Sequence, residues 1–109
     1  MATDDIILLK VDKSSIHGYG VFAMTDIKKG EIILESPYIE TTGCKGEIEK
    51  YYFQHPKGRG RTILPLDRIA IMNSSKTPNV KCEIGDKIVA TALKNIKCGE
   101  ELLWKYKII

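Results

Sequence analysis

A nine-residue pattern occurs twice in this 109-residue chain, and it constrains the fold more than any other feature of the sequence. Ala23-x-x-x-Ile27-Lys28-x-Gly30-Glu31 recurs as Ala92-x-x-x-Ile96-Lys97-x-Gly99-Glu100, and strand-forming residues follow both copies. Each copy predicts a strand, a tight turn at the glycine and a second strand. Two copies are too few for a solenoid. We therefore expect two similar hairpin units in one sheet system, with the middle of the chain inserted between them.

Short β-rich runs separated by turn residues fill most of the chain. These runs are Ile6–Val11, Val21–Ala23, Ile32–Leu34, Tyr38–Thr41, Val80–Ile84, Lys87–Leu93 and Glu100–Lys107. Gly85-Asp86 predicts a hairpin turn between two of them. A helical spacing of apolar residues at Ile48, Tyr51 and Tyr52 predicts one or two turns of helix against the sheet. The sequence therefore indicates a mainly β domain with little helix.

Composition is that of an ordinary soluble single domain, with 43% hydrophobic and 28% charged residues. No apolar run approaches the roughly 20 residues that span a bilayer. The first residues include Asp4 and Asp5, where a secretory signal would carry bases. We expect a cytoplasmic or nuclear protein, or one in a host nucleus if the source is a virus or parasite. The net charge of +3 permits weak attraction to nucleic acid without demanding it.

The three cysteines, Cys44, Cys82 and Cys98, are widely spaced and include no Cys-x-x-Cys pair. A disulfide framework and a complete zinc site are therefore not predicted, and we expect reduced thiols and no metal.

Two stretches are candidates for ligand recognition. The apolar run from Ile69 to Met72 is a strand or short helix that ends in Asn73, Ser74 and Ser75, whose amide and hydroxyls can recognise a ligand. An ordinary strand end with a Ser/Pro turn is the alternative. The other stretch is Gly18-Tyr19-Gly20, whose glycines allow a sharp bend and close approach to a ligand, or simply a tight turn.

The stretch His55–Arg61 is a basic, glycine-rich loop. Arg59 and Arg61 offer contacts to phosphate, whereas a solvated loop is the alternative.

Four motifs, taken in order, resemble the signature of the SET domain, the S-adenosylmethionine-dependent protein-lysine methyltransferase domain. They are Gly18-Tyr19-Gly20-Val21-Phe22-Ala23, Ile27-x-x-Gly30-Glu31, Asn73-Ser74-Ser75-x-x-Pro78-Asn79 and Gly99-Glu100-Glu101-Leu102-x-x-x-Tyr106. The resemblance runs from about Ile6 to Tyr106. In length, and in a Ser-Lys-x-Pro-Asn run like Ser75–Asn79, the chain is most similar to the minimal viral SET proteins.

The resemblance implies a β-clip fold in which the Asn73 segment threads under the final strand as a pseudoknot. It also implies one SET domain over residues 1–109, without pre-SET or post-SET segments. Within it, residues 6–41 would be the N-terminal SET part, 42–67 a variable insert and 68–109 the C-terminal SET part.

The resemblance further implies how the cofactor would be held. Gly18, Tyr19 and Gly20 would line its methionine and ribose region through their backbones. Asn73 would bind it by its side chain, and Ser74 would meet the adenine through its main chain.

Tyr106 matches the catalytic tyrosine of the family, which orients the amine beside the transferring methyl group. Methyl transfer to an amine needs a neutral lysine, an in-line approach and a dry pocket. A tyrosine hydroxyl suits that pocket better than a carboxylate, which would hold the lysine protonated. Tyr51 or Tyr52 matches a tyrosine of the lysine channel, and the local pattern favours Tyr51.

The sequence departs from the family in two respects. Ser74 stands where the family has His, and the missing imidazole is expected to leave a void or an unmade buried hydrogen bond, costing about 1–3 kcal/mol. The sequence also ends at Ile109, three residues after Tyr106, whereas family members continue into a segment that closes the lysine channel. A second subunit would supply that wall, or the site would be open and slow, or inactive.

Three functional hypotheses follow. The first is a homodimeric protein-lysine N-methyltransferase that acts on a histone tail or another protein. The second is a SET-like domain with weak or no turnover that serves as a binding module, as Ser74 and the short C-terminus would allow. The third is a nucleic-acid-binding β domain acting through Arg59 and Arg61, which would show a steep salt dependence of DNA binding.

Overall fold

The computed structural model describes residues 7–41, 53–54 and 62–105 of the chain. Their regular structure consists of short strands and one 3-10 helix, Arg68–Ile71. The strands are β1 (Leu9–Lys13), β2 (Tyr19–Ala23), β3 (Ile32–Ser36), β4 (Tyr38–Thr41), β5 (Phe53–Gln54), β6 (Thr62–Pro65), β7 (Asn73–Ser74), β8 (Val80–Ile84), β9 (Ile88–Ala92) and β10 (Glu101–Trp104). The prediction of a mainly β domain with little helix is confirmed, although β10 ends sooner than expected. The helix predicted around Ile48 and the basic loop lie outside the described residues.

The strands form three small sheets. Their orders are β1-β2-β10-β7, β3-β9-β8 and β4-β6-β5. The pairs are antiparallel except for β7 with β10, which is parallel. The first sheet thus places two strands from the start of the chain beside two from its last third, which brings the Gly18 and Asn73 segments together.

The two copies of the repeated pattern are corners between sheets, so the expectation of hairpins is wrong. The first copy leads from β2 in the four-stranded sheet to β3 in a three-stranded sheet, and the second leads from β9 back to β10. Each incoming strand pairs with the outgoing strand of the other copy, β2 with β10 and β9 with β3. The corners cross where Ile27 and Ile96 exchange backbone hydrogen bonds of 2.7 and 2.8 Å.

Equivalent side chains satisfy the backbone of both corners. Glu31 accepts from the N–H of Lys28 at 2.6 Å, and Glu100 accepts from that of Lys97 at the same distance. The corners also cap each other, since Asn95 accepts from the N–H of Lys29 at 2.9 Å and Asp26 from that of Cys98 at 2.8 Å. Gly30 and Gly99 have φ of 91° and 96°, a region that residues with a Cβ rarely adopt. The repetition in sequence therefore reflects one geometry built twice.

One hydrophobic core lies between the sheets and the 3-10 helix. Fully buried members come from every part of the described chain: Val21, Ile27, Ile63, Ile69, Ile88, Ile96 and Leu102. Burial alternates along β10, because Leu102 and Trp104 are buried while Leu103 is half-buried. This packing fixes β10, which carries residues of the candidate site on its other face.

Candidate functional site

The compact turn from Ser14 to Gly18 joins β1 to β2, and together with Tyr19 and Gly20, the first residues of β2, it forms the glycine loop. The N–H of Ser14 donates to the carbonyl of Gly18 at 2.8 Å, and the Ser14 hydroxyl accepts from the N–H of Ile16 at 3.0 Å. Gly18 has a φ of 47°, which permits the bend. Tyr19 is exposed on the outside of this loop. The carbonyls of His17 and Tyr19 are both used by a side chain from another segment.

That side chain is Asn73, which the 3-10 helix and β7 place against the loop. Ile69 and Met72 are buried in the core, so the chain leaves the helix at a fixed position. β7 then pairs with β10, with Asn73 opposite Leu103. The Nδ2 of Asn73 donates to the carbonyl of His17 at 3.0 Å and to that of Tyr19 at 3.2 Å. The sequence predicted a polar group at the end of an apolar run, and the structure puts it directly on the glycine loop.

Glu101 of β10 joins the loop to Asn73. Its Oε1 accepts from the Ser14 hydroxyl at 2.7 Å, and its Oε2 accepts from Nδ2 of Asn73 at 2.8 Å. The side chains are packed tightly against Gly20, where a Cβ would lie 2.8 Å from Cδ of Glu101 and 3.2 Å from Nδ2 of Asn73. A residue other than glycine at this position would push this group of side chains apart.

Asn79 fixes the strand that carries Glu101. Its Nδ2 donates to the carbonyl of Glu101 at 2.9 Å, and its Oδ1 accepts from the N–H of Leu103 at 2.8 Å. Its own N–H donates to the carbonyl of Leu103 at 2.9 Å. The Asn side chain thus bonds β10 much as a neighbouring strand would, and it holds the Ser75–Asn79 turn beside β10.

Burial and hydrogen bonding shift the pKa values of Cys82 and Asp12. Burial raises the pKa of the Cys82 thiol on β8 to about 12, so this thiol stays protonated at neutral pH. The hydrogen bond from Lys10 lowers the pKa of Asp12 on β1, which is fully exposed. Among the described residues, no three His, Cys, Asp or Glu side chains are grouped so that they could hold a metal ion.

A family model described as the SET domain matches residues 18–107 of the chain. This match starts at the glycine loop and includes the segments that carry Asn73, Asn79 and Glu101. The chain belongs to the SET domain family. The resemblance recognised in the sequence is therefore confirmed.

Relatives of this SET domain are much longer proteins. Histone-lysine N-methyltransferase 2B of Homo sapiens is 31% identical over 115 residues, which is 89% of this chain and 4% of the relative. Histone-lysine N-methyltransferase trithorax of Drosophila virilis is 30% identical over 116 residues, 89% of this chain and 3% of the relative. The chain thus spans only a few per cent of the curated relatives that it matches.

Solved structures share the fold over almost the whole chain. A Plasmodium falciparum protein assigned as a histone methyltransferase has a TM-score of 0.71 at 27% identity, covering 93% of this chain and 94% of its own. A ctPRC2 structure in an autoinhibited conformation bound to S-adenosylmethionine has a TM-score of 0.71 at 25% identity. That match covers 93% of this chain and 15% of the ctPRC2 chain.

The structure brings some of the residues predicted for the site together. Asn73 donates to the carbonyl of Tyr19 and packs against Gly20, and Gly18 forms the bend that precedes them. Tyr106 and Tyr51 lie outside the described residues, so their predicted roles stay predictions.

Ser74 follows Asn73 on β7, opposite Trp104. Ser74 is exposed, which differs from the expectation of a buried gap at this position.

Two side chains of the group, Ser14 and Glu101, were missed in the sequence. Glu101 belongs to the Gly99–Tyr106 motif, and strand alternation puts it on the same face as Leu103, away from the buried Leu102. That signal identifies the face of the strand but not the partner on it. Ser14 is 87 residues away from Glu101, and no local pattern reports such a contact.

Proposed function

We propose that this chain is an S-adenosylmethionine-dependent protein-lysine N-methyltransferase that transfers methyl to a lysine of a histone or another protein. The supporting observation is that Asn73 is held on the Gly18–Gly20 loop, within a family match whose relatives are named as histone-lysine methyltransferases. A nuclear location would accompany a histone substrate. No helix of the described residues is long and apolar enough to cross a membrane.

The described residues fit the ammonium group of such a cofactor. The Nδ2 of Asn73 donates to three acceptors. Its Oδ1 forms no hydrogen bond with the residues that the structure describes. A free carbonyl oxygen suits the ammonium group of a bound amino acid moiety. When bound, S-adenosylmethionine supplies an activated methyl group. Gly18, Tyr19 and Gly20 would bind its methionine and ribose region, and the backbone of Ser74 its adenine.

Tyr106 would act on the other reactant. Its hydroxyl would orient the neutral lysine amine for in-line approach, and Tyr51 would form part of the channel wall that keeps water away. In this proposal a second copy of the chain closes the channel, and the enzyme works as a homodimer in a β-clip fold.

The decisive experiment incubates the chain with cofactor carrying a labelled methyl group and with histones or candidate protein substrates. We expect label on lysine in the mass spectrum and its loss with Tyr106→Phe, while calorimetry shows cofactor binding by both proteins. Absence of both methyl transfer and cofactor binding would overturn the proposal.

Ser74 supports a second candidate, a SET domain that binds cofactor or protein without turnover. The resemblance to the family implies His at this position, whereas this sequence has Ser74 and therefore lacks the imidazole. Cofactor binding without transfer, unaltered by Tyr106→Phe, would favour this second function over the first.

A further inference from the structure

The carboxylate of Glu101 lies where three segments meet, and both of its oxygens are used. Oε1 accepts from Ser14 at the start of the glycine loop, and Oε2 accepts from Asn73 at the end of the 3-10 helix segment. Both contacts are partly buried, and both donors are neutral groups bonded to a charged acceptor. Such bonds are shorter and stronger than those between neutral groups.

The partners of Asn73 determine which way its amide is turned. The backbone carbonyls of His17 and Tyr19 can only accept, so the nitrogen and not the oxygen of the amide must face them. Glu101 adds a third acceptor on the same nitrogen. Because the amide is planar, holding Nδ2 on these acceptors also fixes the direction of its Oδ1. The orientation of the acceptor atom therefore depends on the loop and on Glu101 together.

The loop itself depends on the same carboxylate. Ser14 donates to Glu101 through its hydroxyl and accepts from the N–H of Ile16 with the same oxygen. The hydrogen bond from Ser14 to Glu101 thereby connects the loop to β10. Asn73 is connected to the same strand, because it pairs with Leu103. Asn79 donates to the backbone carbonyl of Glu101, and this bond fixes the position of the backbone from which the carboxylate extends.

We propose that Glu101 is a positioning residue for cofactor binding, which sets the distance between the glycine loop and Asn73 and holds Asn73 Oδ1 toward the cofactor. Glu101 does not touch the reacting atoms in this proposal and acts through Asn73. The inference rests on the proposed function, because it assumes that Asn73 binds the cofactor.

The test is a double-mutant cycle on the affinity for S-adenosylmethionine, measured by calorimetry with the full chain. We expect Glu101→Ala to weaken binding about tenfold or more, the scale of one hydrogen bond to a charged group. In the Asn73→Ala background the same change should add less than about twofold, because its effect passes through Asn73. Glu101→Gln should recover part of the affinity, since the Gln oxygen can still accept from Asn73.

Glu83→Ala is the matched control. Glu83 is an exposed carboxylate on β8 whose ion pair with Lys81 is 3.7 Å long, and its removal should leave the affinity unchanged. Circular dichroism shows whether each variant is folded. If Glu101→Ala does not fold, Glu101→Gln and Ser14→Ala replace it, with a weakening of about threefold expected for Ser14→Ala.

Three outcomes overturn the inference. Folded Glu101 variants with wild-type affinity would do so, and so would fully additive effects of the Glu101 and Asn73 changes, because they would show a merely structural role. In both cases the wild-type chain still binds cofactor and the proposed function stands. Absence of binding by the wild-type chain would overturn the proposed function and this inference with it.

Discussion

Individual residues of the site constrain one another through hydrogen bonds and close packing. The two glycines around Tyr19 are needed for different reasons. Gly18 permits a φ of 47°, whereas Gly20 leaves room for the side chains of Glu101 and Asn73. The sequence indicated only that a backbone without Cβ could approach a ligand closely. In the structure the close neighbours of Gly20 are side chains of the protein itself.

Gly20→Ala should therefore destabilise the domain by about 1–3 kcal/mol, the usual cost of forcing an extra carbon into a packed site. Gly85→Ala is the matched control, because a Cβ there meets nothing within 4 Å. Its effect should stay within about 0.5 kcal/mol. Urea unfolding with linear extrapolation measures both changes. Equal unfolding free energies for the two variants would contradict this packing argument.

At the scale of elements, side chains replace backbone pairing where strands are short. β7 has only two residues, yet Asn79 adds two side-chain hydrogen bonds and one backbone bond to β10. Asn79 is also among the buried polar residues of the chain. Its loss would leave the N–H of Leu103 and the carbonyl of Glu101 without these partners.

Asn79→Ala should accordingly cost about 1–3 kcal/mol or more of unfolding free energy, because buried polar groups lose their bonds. Asn95→Ala is the comparison, since the side chain of the exposed Asn95 makes one hydrogen bond among the described residues, accepting from the N–H of Lys29. We expect a cost of about 0.5–1.5 kcal/mol there. Thermal and urea unfolding of both variants measure the difference. A smaller loss of unfolding free energy for Asn79→Ala than for Asn95→Ala would contradict a stabilising role for the bonds of Asn79 to β10.

The sequence predicted local structure better than the pairing of elements. The strands at Ile32–Leu34 and Tyr38–Thr41 and the hairpin at Gly85-Asp86 could be located because turn residues separate the β-rich runs. The repeated pattern predicts hairpins because a strand, a glycine turn and a second strand have the same local sequence in a hairpin and in a corner between two sheets. Which strands pair depends on contacts distant in sequence. For the same reason the sequence does not predict the hydrogen bond between Ser14 and Glu101.

The whole molecule is a set of interlocked segments around one core. Each small sheet that includes β2 or β3 is completed by a strand from the last third of the chain, and the buried residues of all three sheets form one cluster. No sheet of the described residues packs a core of its own, so partial unfolding would expose a large apolar area. We expect the domain to unfold as one cooperative unit.

Trp104 provides the measurement, because it is the only tryptophan of the sequence and is 7% exposed. Its fluorescence and the far-ultraviolet circular dichroism should report the same urea midpoint, as expected for a two-state transition. A Trp104 transition at clearly lower urea than the dichroism change would show that the last strand separates first, contrary to this expectation.

The crossing of the two corners has a consequence for biosynthesis. A nascent chain that has left the ribosome only as far as β9 carries the Ile27 corner without Ile96, its hydrogen-bonding partner. Its β2 also lacks β10 on one side. The segment around β2 must then wait, with its apolar residues uncovered, until β10 has been translated. Native assembly is thus a late event, slowed by the closure of long loops and open to chaperone binding beforehand.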